Sequence, residues 1–312
     1  SRGLGDVYKR QDRNVKAKGV ERTMLDPTPR ILLLPGLGLF AAGATRKEAR
    51  IAADIAEHNI KTKIWATMTG HYTGLGESDL FDMEYWSLEQ AKLGRHTPAP
   101  LEGQISLVTG GDGAIGEGVA RAILDAGGAV MLADIDPERL EAVAGRLGSE
   151  CCETFEADIS DPGAVRDAYR QTAGAFGGVD LVVANAGVAV AGRLEDLEIE
   201  DFERALQVNL SGAFLTVQEA LRQFRAQGTG GNVVVLSSKN VFAPGAEFGA
   251  YSASKAGAHQ LGRIAALEGA EIGVRVNMIN ADAVFGSSEN PSGLWREVGP
   301  ARAAARGLGA VS

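Results

Sequence analysis

Residues 104–116 read QISLVTGGDGAIG, and this stretch decides the fold. Ile105–Val108 is an apolar run of strand length. Glycines 110, 111, 113 and 116 make a turn, and from Ile115 to Ala126 the apolar residues recur at helical spacing. Strand, glycine turn and helix are the opening of a βαβ unit, and the same alternation continues downstream. Strands are expected at Ala129–Ala133, Thr154–Ala157, Leu181–Ala184, Asn232–Leu236 and Val274–Met278. Helices are expected at Pro137–Leu147, Asp161–Phe176, Ile199–Gln227 and Ala250–Glu268. Short apolar strands separated by amphipathic helices imply a parallel sheet covered on both faces, with right-handed crossovers: a doubly wound α/β fold.

The turn carries chemistry as well as topology. Glycine lets the backbone approach a pyrophosphate, and the following helix offers unpaired N–H groups and its positive dipole end to that charge. Thr109, Gly110, Gly113, Ile115 and Gly116 are therefore candidate cofactor residues, together with Asp134 at the end of the second strand. A carboxylate there accepts hydrogen bonds from both adenosine ribose hydroxyls and repels a 2′-phosphate. No Arg or Lys immediately follows it, so NAD is expected rather than NADP. A second glycine-rich stretch, Gly36–Ala41, also follows an apolar run. Pro35 interrupts it and no acidic residue ends a second strand at the right distance, so it reads as a structural turn.

Tyr251 and Lys255, spaced i, i+4, project from one face of a helix. An ammonium beside a phenol is expected to lower its pKa, making Tyr251 a general acid/base for an alcohol or carbonyl. Ser238, at the end of a buried strand upstream, is placed to bind the substrate oxygen.

In combination these motifs resemble the short-chain dehydrogenase/reductase family over roughly Leu101–Val284. The resemblance implies a Rossmann-type fold and a hydride exchanged between NAD and a substrate carbon. It implies roles for further residues: Asp158 and Ile159 at the adenine, and Asn185, Ala186 and Gly187 lining the cofactor. It adds Asn209 as the holder of a water in a proton relay to Lys255, and a Val284 backbone contact to the nicotinamide carboxamide. Ser238, Tyr251 and Lys255 complete the catalytic set with Asn209. In the family the helices carrying Asn209 and Tyr251 commonly pack across two-fold axes, so a homodimer or homotetramer is implied. Departures are Ala114 for a second glycine, Ala184 for the first of two asparagines, and Ala281-Asp282 for Pro-Gly, which puts a carboxylate near the ring. The stretch after Val284 is short and rich in Gly, Arg and Ala, and C-terminal truncation is expected.

The N-terminal part is read differently. Residues 1–11, SRGLGDVYKRQ, are expected to be a non-native leader and are set outside the fold. In residues 12–100, Ile31–Leu34 reads as a strand and Thr45–Glu48 as a capping box starting a helix to about Asn59. Lys61–Met68 reads as a second strand, Glu77–Leu93 as helical, and Gly94–Pro100 as a linker. The run Leu32–Leu93 resembles the end of the class II aldolase-like domain of bifunctional aldolase/short-chain dehydrogenases of the rhamnulose-1-phosphate aldolase/lactaldehyde dehydrogenase kind. No His-x-His pair is present, and His58, His71 and His96 are isolated, so no metal and no aldolase activity are expected. The dehydrogenase domain is assigned to residues 101–312.

A net charge of −9 argues against nucleic-acid and anionic-membrane surfaces, and no apolar run is long enough to span a bilayer. Cys151 and Cys152 are adjacent and read as free thiols; a cytoplasmic location is expected. The resemblance implies a small-molecule substrate, lactaldehyde or a related sugar-derived hydroxy-carbonyl. The alternatives are a sorbitol-6-phosphate-type sugar-phosphate dehydrogenase, with Lys239 binding the anion, or a cofactor-binding module without turnover.

Overall fold

The computed structural model describes residues 4–25, 28–86, 97–282, 284 and 286–291. The chain divides into two units, Ser1–Glu102 and Gly103–Ser312. The first holds helix α1 (Leu4–Lys18), strands β1 (Ile31–Leu34) and β2 (Gly38–Ala41), and helices α2 (Arg46–Thr69) and α3 (Glu77–Glu84). Of residues 1–11, set outside the fold on sequence grounds, residues 4–11 belong to helix α1. Arg13 and Lys18 of α1 pair with Glu77 and Asp82 of α3, at 2.8 and 2.9 Å. β1 and β2 form an antiparallel hairpin, with Gly36 and Gly38 at positive φ in and beside its turn. The Gly36–Ala41 stretch is therefore a hairpin turn and its return strand, and no helix follows it directly as a phosphate turn requires.

The expected strand at Lys61–Met68 is corrected: α2 continues unbroken to Thr69. No glycine or proline lies between Asn59 and Thr69 to stop it, and Thr62, Thr67 and Thr69 donate their hydroxyls back to the carbonyls of His58, Lys63 and Trp65. The capping box holds in modified form. Glu48 N–H donates to Thr45 Oγ1 at 3.2 Å, while the Glu48 carboxylate accepts from the Ala44 N–H rather than from that of Thr45. The expected helix Glu77–Leu93 is helical to Glu84. Residues 87–96, with His96 and the first three residues of the linker, lie outside the described residues.

The second unit is built on six parallel strands. They are β3 (Ile105–Thr109), β4 (Ala129–Asp134), β5 (Cys152–Glu156), β6 (Leu181–Ala184), β7 (Gly231–Ser238) and β8 (Val274–Ala281), in the order β5-β4-β3-β6-β7-β8. Helices α4 (Ala114–Asp125), α5 (Pro137–Leu147), α6 (Pro162–Phe176), α7 (Ile199–Leu206), α8 (Ala213–Gln227) and α9 (Gly249–Gly269) connect them. This is the doubly wound architecture expected. Leu107, Val108, Val130, Leu132, Val182 and Val233 are fully buried, as befits strands covered on both faces. The order in which strands are added reverses between β3 and β6, so the carboxyl ends of these parallel neighbours open a crevice. The expected long helix Ile199–Gln227 is interrupted by a π-helical segment, Gln207–Gly212, which carries Asn209.

Cys151 and Cys152 are free and half-buried, and burial pushes the Cys152 thiol up to about 11. No helix among the described residues is long and apolar enough to cross a membrane.

Candidate active site

A cavity of about 700 Å³ runs along the carboxyl ends of the strands, from Asp134 and Arg139 at one end to Tyr251, Lys255 and Val284 at the other. Gly110, Gly113, Ile115, Asp158, Ile159, Asn185, Ala186 and Gly187 also line it. Thr109 and Gly116 do not; they act from behind the turn. Thr109 Oγ1 accepts from the N–H groups of Asn185 (3.1 Å) and Ala186 (3.3 Å). Asn185 Nδ2 donates to the carbonyls of Thr109 (3.0 Å) and Gly110 (2.9 Å). This exchange locks the ends of β3 and β6 together where the crevice opens. It does so without the side chain that Ala184 lacks.

Glycine is required at two points of the turn. A Cβ on Gly110, whose φ is +69°, would stand 2.7 Å from the Ala186 Cα, and one on Gly116 would stand 2.2 Å from the Gly110 carbonyl oxygen. Gly113 caps α4 without any side-chain acceptor, so the first-turn N–H groups face the cavity with no side-chain partner. The residues present therefore fit a dinucleotide: uncapped amides in the middle, a carboxylate at one end and a cation at the other. Gly187 serves the same fit, because a Cβ there would lie 2.9 Å from Asn209 Oδ1 and 3.2 Å from Lys255 Nζ.

Tyr251 and Lys255 occupy α9, with Tyr251 edge-on to Phe248. The expected lowering of the phenol pKa by Lys255 is corrected. Burial pushes Tyr251 up from its ordinary value, and the opposing influence is a hydrogen bond from Ser238. Lys255 Nζ instead donates to the Leu236 carbonyl at 2.9 Å, and burial pulls its own pKa down to about 8. The Ser238 hydroxyl oxygen accepts from the Asn240 N–H at 3.2 Å, leaving its proton for the phenol oxygen. Ser238 is buried beside the cavity wall that Leu236 and Ser237 form.

Asn209 sits behind this wall. Its Oδ1 accepts from the Val188 N–H (2.8 Å), and its Nδ2 donates to the Val188 carbonyl (2.9 Å) and to Ser254 Oγ (3.0 Å). Ser254 Oγ in turn donates to the Tyr251 carbonyl at 2.9 Å. The side chain that reaches α9 comes from a π-helical segment, a form frequent at functional sites. Asp158 closes its own turn by accepting from the Ser160 N–H at 2.8 Å. Asp282, expected to disturb the ring contact, is ion-paired with Lys239 at 2.8 Å.

Sequence reasoning missed several residues. Ser254 could have been found, since it is one helical turn from Tyr251. Asp112 pairs with Arg139 at 3.0 Å, and its N–H donates to Asp134 at 3.3 Å. Asn290 carries no sequence signal, yet it donates to the Asp112 carbonyl (3.0 Å) and to the Glu117 carboxylate (2.9 Å). Arg146 and Arg121 hold that carboxylate from the other side, and together these contacts keep Glu117 well below the usual carboxylate range, at about 2.

Residues 104–290 match the short chain dehydrogenase family, and residues 6–93 match the second domain of class II aldolases. An uncharacterised oxidoreductase of Bacillus subtilis is 33% identical over 290 residues, which cover 91% of this chain and 42% of that relative. D-threitol dehydrogenase of Mycolicibacterium smegmatis is 34% identical over 187 residues, covering 59% of this chain and 72% of the relative. Among solved structures, 3-ketoacyl-(acyl-carrier-protein) reductase from Brucella melitensis complexed with NADH superposes with a TM-score of 0.56 at 29% identity. That superposition covers 58% of this chain and 75% of the reductase.

Proposed function

The chain belongs to the short-chain dehydrogenase family, and on that basis we propose that it transfers a hydride between NAD and a small sugar-derived hydroxy-carbonyl or alcohol, lactaldehyde being the leading example. One observation carries the reading: Tyr251 and Lys255 line the same cavity whose far end holds Asp134. A dinucleotide along this cavity would have its adenosine ribose at Asp134 and its pyrophosphate against the α4 amides. Bound nicotinamide supplies the hydride acceptor or donor. Tyr251 takes the alcohol proton or returns it, and Ser238 gives its one hydroxyl proton to the phenol or, with substrate bound, to the substrate oxygen. Lys255 turns from the Leu236 carbonyl toward the nicotinamide ribose. Asn209 and Ser254 position Tyr251 by holding its helix against the Val188 loop. A homo-oligomeric assembly belongs to the same reading.

The sugar-phosphate alternative would use Lys239 as the anion site. Its pairing with Asp282 weakens that alternative, because the cation is already neutralised. The D-threitol relative lends weight to neutral polyols. Residues 12–100 are read as a fragment of an aldolase-like domain without aldolase activity of its own; stoichiometric zinc in the purified protein would overturn this.

The test combines NADH binding, followed by fluorescence, with turnover over a panel of polyols, hydroxyaldehydes and sugar phosphates. Tyr251→Phe is expected to keep NADH binding and to lose at least about a hundredfold in turnover. Retained full activity in that variant would refute the mechanism. Binding without turnover on every substrate would instead favour a cofactor-binding module.

A further inference from the structure

We propose that the Lys239–Asp282 ion pair reads the substrate: it selects a neutral molecule with a hydroxyl on the carbon next to the reacting one, and it turns away the phosphate ester of that hydroxyl. The proposal rests on the dehydrogenase reading above and names the substrate class of the same site. The pair originates in the register of the sheet. β7 and β8 run parallel with Ser238 opposite Ala281, so the next residue on each strand leaves the sheet beside the other. Those residues are Lys239 and Asp282, and their charged atoms meet at 2.8 Å. The pair stands one residue beyond the hydroxyl that bonds the Tyr251 phenol, and Asp282 lines the cavity together with Tyr251 and Lys255.

The backbone beneath the pair is fixed. Lys239 opens a 3-10 turn, Lys239–Val241, and its carbonyl accepts from the N–H groups of Phe242 (3.0 Å) and Ala243 (2.9 Å). Asp282 stands where the family pattern has glycine, and a glycine would offer a substrate no side-chain acceptor. Among the described residues, neither charged group has another ion-pair partner.

A donor and an acceptor held this close match one functional group well. A hydroxyl gives its proton to the Asp282 carboxylate and accepts one from the Lys239 ammonium, whereas a bare carbonyl only accepts and a methyl does neither. A phosphate meets Asp282 as a like charge, and the cation it needs is already engaged by that carboxylate. The Lys239 side chain is 32% exposed and that of Asp282 58%, so water replaces a missing substrate hydroxyl. Discrimination is therefore roughly tenfold, well short of what a fully buried polar site reaches.

The experiment measures kcat/KM with NADH on the full chain for matched carbonyl trios, such as hydroxyacetone, acetone and hydroxyacetone phosphate. Wild type, Asp282→Asn and Lys239→Met are compared. Only ratios between substrates on one protein are read, so a partly folded variant still reports. Their change from wild type cancels the intrinsic reactivity of each carbonyl. Asp282→Asn is expected to lower the hydroxyacetone-to-acetone ratio by roughly tenfold. With Lys239 released, it should also raise the ratio of phosphate ester to hydroxyacetone. Lys239→Met should lower the first ratio too, but move the ester ratio downward, because Asp282 is left unbalanced. These opposite signs are what a merely structural ion pair would not give. A hydroxyl ratio unmoved in both variants, or an ester ratio that moves the same way in both, overturns the proposal. So does an unmoved hydroxyl ratio with NADH binding weakened in Asp282→Asn, which would put that carboxylate on the cofactor. If Asp282→Asn does not fold, both ratios in Lys239→Met decide. A wild type that binds NADH but turns over no member of the panel removes the dehydrogenase reading, and the proposal with it. Unmoved ratios in an active wild-type background refute the pair alone.

Discussion

Replacing Ser238 by alanine separates two ways of activating Tyr251. The phenol is pushed up by burial, Lys255 spends its ammonium on the Leu236 carbonyl, and the hydrogen bond that favours phenolate comes from Ser238. A hydrogen bond to a charged group contributes about 1.5–3 kcal/mol, and one pH unit corresponds to about 1.4 kcal/mol. Its loss should therefore raise the Tyr251 midpoint by about 1–2 pH units, further above the ordinary phenol value near 10. The sign follows directly. Alcohol oxidation needs the phenolate, whose population at fixed pH falls as the midpoint rises, so kcat/KM near neutral pH should drop by about 10–100-fold. The alkaline rise of the pH–rate profile should move upward with it. The Asn240 N–H also loses its acceptor, a structural cost of about 1 kcal/mol that lowers stability without moving the midpoint. The assay is a pair of measurements. One is the pH profile of NAD-dependent oxidation of the best panel substrate. The other is an ultraviolet phenolate titration of Ser238→Ala and wild type, each referenced to Tyr251→Phe to subtract the other four tyrosines. A fall in kcat/KM with an unmoved midpoint would refute the reasoning, because Ser238 would then act only on the substrate.

Glu117→Gln tests the strut beneath the phosphate turn. Glu117 sits at about 2 against an ordinary 4.5, so the ionised form is favoured in the folded chain. Its contribution is fully present above pH 4.5 and lost as pH falls toward 2. After solvent screening it amounts to about 1–2 kcal/mol at neutral pH, or about 2–8 °C in the melting temperature. Thermal melts should show that difference at neutral pH and its disappearance in acid; equal melts at neutral pH would count against the strut. Gly116→Ala and Gly118→Ala form a matched pair on α4. The first puts a methyl 2.2 Å from the Gly110 carbonyl oxygen, while the second meets nothing within 4 Å. Gly116→Ala should destabilise by about 1–3 kcal/mol and abolish NADH binding. Gly118→Ala should stabilise by about 0.5–1 kcal/mol, and loss of binding there would show that the close approach at Gly116 is not the cause.

The sheet was legible because most strands of the second unit are short apolar runs separated by helices, two of which open on clear capping signals. Asp136 before Pro137 and Asp161 before Pro162 both serve as N-caps, as sequence reading requires of Asp-Pro at a helix start. α2 was misread for the opposite reason. Lys61–Met68 is rich in β-branched and aromatic residues (Thr62, Ile64, Trp65 and Thr67), and what overrides that preference is the absence of any stop signal before Gly70. The π-helical insertion around Asn209 left no mark at all, because a single extra residue in a helix shifts the apolar period by less than sequence pattern can resolve.

The candidate site divides along the same physical line. Residues whose role depends on local backbone, such as the glycines of the turn, or on fixed helical spacing, such as Tyr251 and Lys255, were visible. Residues whose role depends on long-range charge balance were not. Reading Lys255 as a partner that lowers the phenol pKa is sound for two groups on an isolated helix. Here burial reverses it: a nearly buried ammonium must satisfy its donors, and the Leu236 carbonyl lies within 2.9 Å. Asp112 shows the same logic. On sequence alone it is one turn residue among glycines, and only the approach of α5 gives it Arg139. A carboxylate's effect on a ligand is set by what already neutralises it, and that information lies in tertiary contacts such as Asp112–Arg139 and Lys239–Asp282 rather than in residue type.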